Sequence, residues 1–158
     1  MEVPDPIKPF WSEFLVATRR PAGTALYDVF RFGDRESAAE SLSKLVLTGT
    51  KRATSSLLRE YEAEGRRVPQ PGDLSVVTSW SGTPLCVIEA TDVSIRAFDK
   101  VDGAFAADEG EGDRSLDHWR ATHWAFFGRL CEELGVEPCT RMQIVCERFT
   151  VVFIPAPA

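Results

Sequence analysis

The chain has 158 residues, 44% of them hydrophobic and 27% charged, and a formal net charge of −6. This is the length of one domain with enough apolar side chains to bury a core, which excludes intrinsic disorder. The acidity excludes a protein that coats duplex DNA by charge alone, while leaving room for a small basic cleft.

Ile7 to Thr18 predicts a helix, because Phe10, Trp11, Phe14 and Leu15 fall on one face. Pro21-Ala22-Gly23 breaks the chain. Asp34 is placed as the N-cap of a second helix running to Thr48, with Glu36 in the first turn, Leu42, Leu45 and Val46 on its apolar side and Gly49 just past its end. Lys51 to Leu57 begins as a strand or a tight turn, and Leu58 to Glu64 reads as a short helix closed by Gly65. Gly72-Asp73 turns into a strand over residues 74–80. Ser81-Gly82-Thr83-Pro84 then forms a hairpin connection to β structure over 85–91 and 93–98, with a kink near Asp92.

Asp113 or Ser115 caps a long helix that runs to Leu134 and is ended by Gly135. Its inward stripe holds Leu116, Trp119, His123, Phe127, Leu130 and Leu134. Residues 141–154 alternate as a β-rich finish. The class is therefore α+β: a small, mixed, mostly antiparallel β-barrel in preference to an open sheet, with flanking helices. A single domain is expected over 1–158, with a helical extension over 1–40 and the barrel core, with inserted helices, over 41–155.

Cys86, Cys131, Cys139 and Cys146 form no CxxC pair and sit in apolar stretches, so they read as buried reduced thiols and not as a zinc site. No GxGxxG, GxxxxGK[ST] or HExxH pattern occurs, so neither a cofactor nor a metal is expected. No apolar run approaches the ~20 residues that spanning a bilayer requires. The start lacks a basic and then apolar leader, so the expected location is cytoplasmic, with no membrane partner.

Thr48-Gly49-Thr50-Lys51-Arg52-Ala53-Thr54-Ser55-Ser56 gathers two cations and several hydroxyls after a helix end. A lysine stabilises an anion, or acts as a base where burial lowers its pKa, and a threonine hydroxyl needs such a base to become a nucleophile. Lys51 and Thr54 converge only if the backbone between them is irregular, since a regular strand turns residues three apart to opposite faces. The alternative is a polar helix-to-strand connection.

Asp108-Glu109-Gly110-Glu111-Gly112-Asp113-Arg114-Ser115 places carboxylates on a flexible backbone, suited to proton transfer or to orienting a lysine. It also reads as an acidic helix entry. His123 is a core histidine or a catalytic one. Arg120 and Trp124, four apart on the long helix, form a stacking surface or a packed flank, and Trp80 lies at a strand end. Glu89 shares a strand face with Leu85 and Val87 and needs a partner, for which Lys51 or Arg52 is available.

Together, Gly49-x-Lys51-x-x-Thr54, Pro71-Gly72-Asp73-Leu74-Ser75-Val76-Val77, Pro84-Leu85-Cys86-Val87-Ile88-Glu89-Ala90-Thr91, Glu109-Gly110-Glu111-Gly112-Asp113-Arg114-Ser115-Leu116 and Trp119-Arg120-x-x-His123 resemble the ASCH family, in its longer bacterial form. The resemblance covers roughly residues 40 to 155. It implies a PUA-like barrel with a cleft lined by the lysine motif, and a role with RNA: binding, cleavage or hydrolysis of acylated nucleosides. In short members that hydrolyse N(4)-acetylcytidine, a lysine, a threonine and a glutamate form the catalytic group. The first two fall on Lys51 and Thr54, and the third on Glu109 as first choice and Glu111 as second.

The candidate binding residues are Arg52, Ser55, Trp80, Glu111, Arg114, Arg120 and His123. Three functions follow: a metal-independent hydrolase of a modified pyrimidine nucleoside, a ribonuclease for single-stranded RNA, or a non-catalytic module that reads RNA or a nucleotide. The partner is thus single-stranded RNA or a modified nucleoside, not duplex DNA, and the oligomeric state is left open.

Overall fold

The computed structural model describes Met1–Pro157. In chain order the elements are α1 (Lys8–Ala17), β1 (Asp28–Phe30), α2 (Glu36–Leu47), β2 (Ala53–Leu57), α3 (Leu58–Glu64), β3 (Leu74–Thr78), β4 (Pro84–Ala97), α4 (Gly103–Glu109), α5 (Leu116–Glu133) and β5 (Gln143–Phe153). The strand order is β1-β3-β4-β5-β2. β1 runs parallel to β3, whereas β3 with β4 and β2 with β5 are antiparallel. The chain is α+β with a mixed, mostly antiparallel sheet and flanking helices, as its alternating and helical runs predict.

The chain forms two compact units that interleave in sequence. The first holds residues 1–49, 69–91 and those from 149 onward; the second holds 50–68 and 92–148. β4 and β5 each begin in one unit and end in the other.

In the first unit, α1 buries Trp11, Phe14 and Leu15 against Leu74, Val76 and Val87. A second cluster joins Phe32, Val46, Val77, Cys86, Ile88 and Phe149. Glu89 finds its cation in Arg20, at 3.2 Å, and not in Lys51 or Arg52 as the sequence suggested. The N-cap of α2 is Arg35, one residue later than the predicted Asp34. Gly33, just ahead of it, has φ +80, and a Cβ there would lie 2.8 Å from the Ala38 Cβ. β1 lies within the 1–40 stretch expected to be helical. Its Asp-Val-Phe segment is three residues long and too short to show alternation.

In the second unit, α4 and α5 share a core with β2 and β5. Phe105 and Ala106 of α4 meet Trp119, Phe127 and Cys131 of α5. α4 has no counterpart among the predicted elements. It is only seven residues long and opens on glycine, but Asp102 caps it by accepting a 2.9 Å hydrogen bond from the Phe105 amide. The cap of α5 is Ser115, whose hydroxyl accepts from the His118 amide at 3.1 Å, while Asp113 accepts from the Ser115 amide. β4 passes Asp92 as one continuous strand in place of the two segments expected. Cys86, Cys131 and Cys146 are buried, whereas Cys139 is exposed, contrary to the reading of four buried thiols. Among the described residues, no helix is long and apolar enough to cross a membrane.

Phe127, fully buried between the helices and the sheet, anchors the second unit's core. Phe127→Ala is expected to cost about 3–5 kcal/mol through lost burial and the cavity left behind. Urea unfolding checks this as a lower midpoint at an unchanged slope.

Candidate active site

β2 pairs in unbroken register with β5, Thr54 opposite Glu147 and Ser55 opposite Cys146. Its alternation turns Ala53, Ser55 and Leu57 inward and leaves Thr54 and Ser56 half-buried on the other face. Just ahead of the strand, the Arg52 amide donates to the Asp108 carbonyl at 2.7 Å, tying this segment to the last turn of α4. α4 turns Phe105, Ala106 and Glu109 inward, and Glu109 is its final residue. The chain thereby brings Lys51, Ser55 and Glu109 together although they are far apart in sequence.

Glu109 and Lys51 are each 2% exposed, and the Lys51 ammonium lies 3.1 Å from Glu109 Oε1. The same ammonium lies 3.4 Å from the Glu109 backbone carbonyl and 3.4 Å from Glu111 Oε2. Glu109 Oε2 accepts from the Ser55 hydroxyl at 2.8 Å and from the Trp119 indole N–H. It also faces His123 Nε2 at 3.3 Å. Four donors thus surround one carboxylate, about as many as its lone pairs accommodate.

Burial alone would raise the pKa of Glu109. The Lys51 ammonium, His123 and the Trp119 indole outweigh it and hold the carboxyl well below its usual range.

His123 sits on the inward face of α5, its ring stacked on Trp119 with centroids 4.4 Å apart. Its Nδ1 lies 2.8 Å from the Trp119 carbonyl, which only accepts, so Nδ1 carries a proton. Its Nε2 faces the Glu109 carboxylate, which also only accepts, so the imidazolium is the matching form. Burial works against that charge, but the hydrogen bond and charge of Glu109, then Glu111, raise the pKa above its ordinary value. Lys51 and His123 balance Glu109 and Glu111 as two cations against two anions.

Glu111 follows on a turn built from two glycines. Gly110 has φ +71, and a Cβ there would collide with the Thr50 carbonyl. Gly112 has φ +58, and a Cβ there would collide with the His118 ring. Both positions therefore favour glycine for conformation, and Gly110, which meets backbone, requires it for space as well. The donor atoms of Glu109, Glu111 and His123 lie within 4.8 Å of one another, a set able to hold a metal ion. Lys51 already contacts both carboxylates and competes with a divalent ion for them.

Of the residues singled out in the sequence, Lys51, Ser55, Glu109, Glu111 and His123 converge. Thr54 does not join them. Convergence with Lys51 required an irregular backbone, and the strand instead turns Thr54 to the face opposite Ser55.

Arg52 points outward to Asp108 Oδ1 at 3.0 Å, and the other Asp108 oxygen is held by Arg148. Arg114, with φ 64, donates to the Ala107 carbonyl. Arg120 and Trp124 are exposed on α5, and the Trp124 ring contacts Phe98. Trp80 belongs to the first unit, where the Arg31 guanidinium lies 4.0 Å over its ring.

Trp119 is the site residue that sequence reasoning left in the core. A buried tryptophan four residues before an inward histidine was the available signal, because its indole N–H needs an acceptor.

A family model described as ASCH domain matches residues 28–153. An ASCH domain from Lactobacillus crispatus JV V101 is 37% identical with a TM-score of 0.86, covering 96% of this chain and 97% of that chain. A protein from Enterococcus faecalis V583 is 31% identical with a TM-score of 0.86, covering 94% of this chain and 88% of that one. A hypothetical protein at 13% identity and TM-score 0.53, covering 79% of this chain and 98% of that one, shares the fold alone. No curated protein matches the sequence.

His123 binds its proton more tightly folded than unfolded. Its contribution to stability is therefore complete below about pH 6.5 and fades as pH rises through its raised folded-state value. Glu109 acts in the opposite sense: its contribution is present above about pH 4.3 and fades as pH falls through its depressed value. Thermal unfolding across pH checks both limbs. His123→Gln is expected to flatten the alkaline one, and NMR of the His123 ring is expected to show a midpoint above the ordinary 6.5.

Proposed function

Because the chain belongs to the ASCH family, we propose that it is a hydrolase directed at RNA or at a nucleoside derived from it, and that its substrate is an N(4)-acylated cytidine. The observation that carries this reading is the Lys51 ammonium, enclosed with Glu109 and flanked by Glu111. With Lys51 and His123 already balanced by Glu109 and Glu111, the cluster has no cation to spare for a phosphate and suits an uncharged acyl-cytosine.

Water attacks the acyl carbon, and the Lys51 charge offsets the negative charge that develops on the carbonyl oxygen. A carboxylate of the cluster takes the water proton and returns it to N4 as the C–N bond breaks, releasing cytidine and the carboxylic acid. The family resemblance assigns the attack to Thr54. The orientation of β2 favours water in that role, because Thr54 lies on the strand's other face.

A second reading, cleavage of single-stranded RNA, draws on the Arg31–Trp80 pair, a cation over an aromatic ring of the kind on which bases stack.

Cytidine release from N(4)-acetylcytidine, with EDTA present, tests the proposal. Lys51→Ala is expected to slow it ~100- to 1,000-fold. Removing this cation leaves Glu109 with only His123 to offset its buried charge, at a cost of up to about 3–5 kcal/mol, so circular dichroism confirms the fold and Lys51→Arg serves as a charge-conserving second variant. Equal rates in wild type and folded Lys51→Ala overturn the reading. Loss of labelled single-stranded RNA with N(4)-acetylcytidine intact moves the second reading to first place, and no change in either substrate leaves a binding module.

A further inference from the structure

Resting on the hydrolase reading, we infer that Glu111, not Glu109, is the carboxylate that moves the proton, and that Glu109 is a positioning residue that holds Lys51. The two acids are neighbours in sequence but differ in access. Glu109 is 2% exposed, and its oxygens are taken by Lys51, Ser55, Trp119 and His123. To accept a proton it would have to give up one of these contacts.

Glu111 has a side chain 19% exposed. Only its Oε2 faces the cluster, 3.4 Å from Lys51 Nζ and 3.9 Å from His123 Nε2. Among the described residues, its Oε1 takes no hydrogen bond. The charged groups facing it are therefore Lys51, from the segment before β2, and His123, from α5, with Glu109 behind them at the end of α4.

The backbone around Glu111 is built for one position. Gly110 packs its Cα against the Thr50 carbonyl and Lys51 Cα, and Gly112 packs against the His118 ring, so the turn that carries Glu111 is docked directly beside the residue preceding Lys51. The contact of Gly110 with Thr50 and Lys51 goes beyond what capping α5 needs. In the reaction, Glu111 takes one proton from the attacking water as the C–O bond forms. It then passes that proton to N4 as the C–N bond breaks, ending as the carboxylate it began as.

The test compares wild type, Glu111→Gln and Glu109→Gln on N(4)-acetylcytidine. Glu111→Gln is expected to lower kcat ~100-fold or more, with KM and thermal midpoint nearly unchanged. Glu109→Gln is expected to lower the thermal midpoint and to shift the NMR titration of His123 downward by more than Glu111→Gln does. Independently of turnover, carbodiimide coupling of glycine ethyl ester, followed by peptide mass, is expected to label Glu111 and spare Glu109 in the folded wild type. An active wild type with an equally active Glu111→Gln overturns this assignment alone, as does equal labelling of both acids. A wild type that releases no cytidine overturns the hydrolase reading and this assignment with it.

Discussion

Taking the Lys51 ammonium out of water costs several kcal/mol, and nothing in an apolar core returns that energy except acceptors placed around the charge. Much of the second unit's local architecture serves this requirement. α4 ends at Glu109, so a side-chain carboxylate and a backbone carbonyl reach the same ammonium. α5 turns an indole and an imidazole toward the carboxylate's other oxygen, and β2 adds a hydroxyl. Each of these elements is otherwise held by ordinary packing: Phe105, Trp119, Phe127 and Ile144 share one cluster. The hydrophobic core sets the positions and the polar centre sets the residue identities.

Trp119 belongs to both. Its ring lies against Phe98 with centroids 5.3 Å apart and stacks on His123, while its N–H is spent on Glu109. Such a residue transmits the rigidity of the core to the polar groups, because a fixed indole fixes the carboxylate that accepts from it. The enclosed centre also has low polarizability, which strengthens each of its hydrogen bonds relative to the same contact in water.

The sequence shows local features clearly. The stripe on α5 places Trp119 and His123 inward, Gly65 and Gly135 end their helices, and the Ser81–Pro84 turn joins β3 to β4. The lysine motif and the Glu-Gly-Glu-Gly segment are both visible as candidates. Their meeting is not, since Lys51 and Glu109 are 58 positions apart and only tertiary packing pairs them. β1 escapes because three residues give too little period to read, and α4 because it opens on glycine and runs into a Glu-Gly-Glu-Gly segment that reads as a loop. Thr54 misleads for a related reason: spacing alone does not say whether the backbone at Lys51 has already become a strand. Glu89 shows the same limit, as its partner Arg20 lies on a segment with no motif.

The four-donor crowding of Glu109 constrains how this chain can change over time. Any single replacement within the set strands partners that were matched before it, so substitutions at Lys51, Ser55, Glu109, Trp119 and His123 have effects that do not add. Abandoning the centre without losing the fold requires several positions to turn apolar together, since a wholly apolar replacement of similar volume is often neutral or stabilising while each partial step is not. The energetic cost of each partial step therefore exceeds that of replacing the centre as a whole.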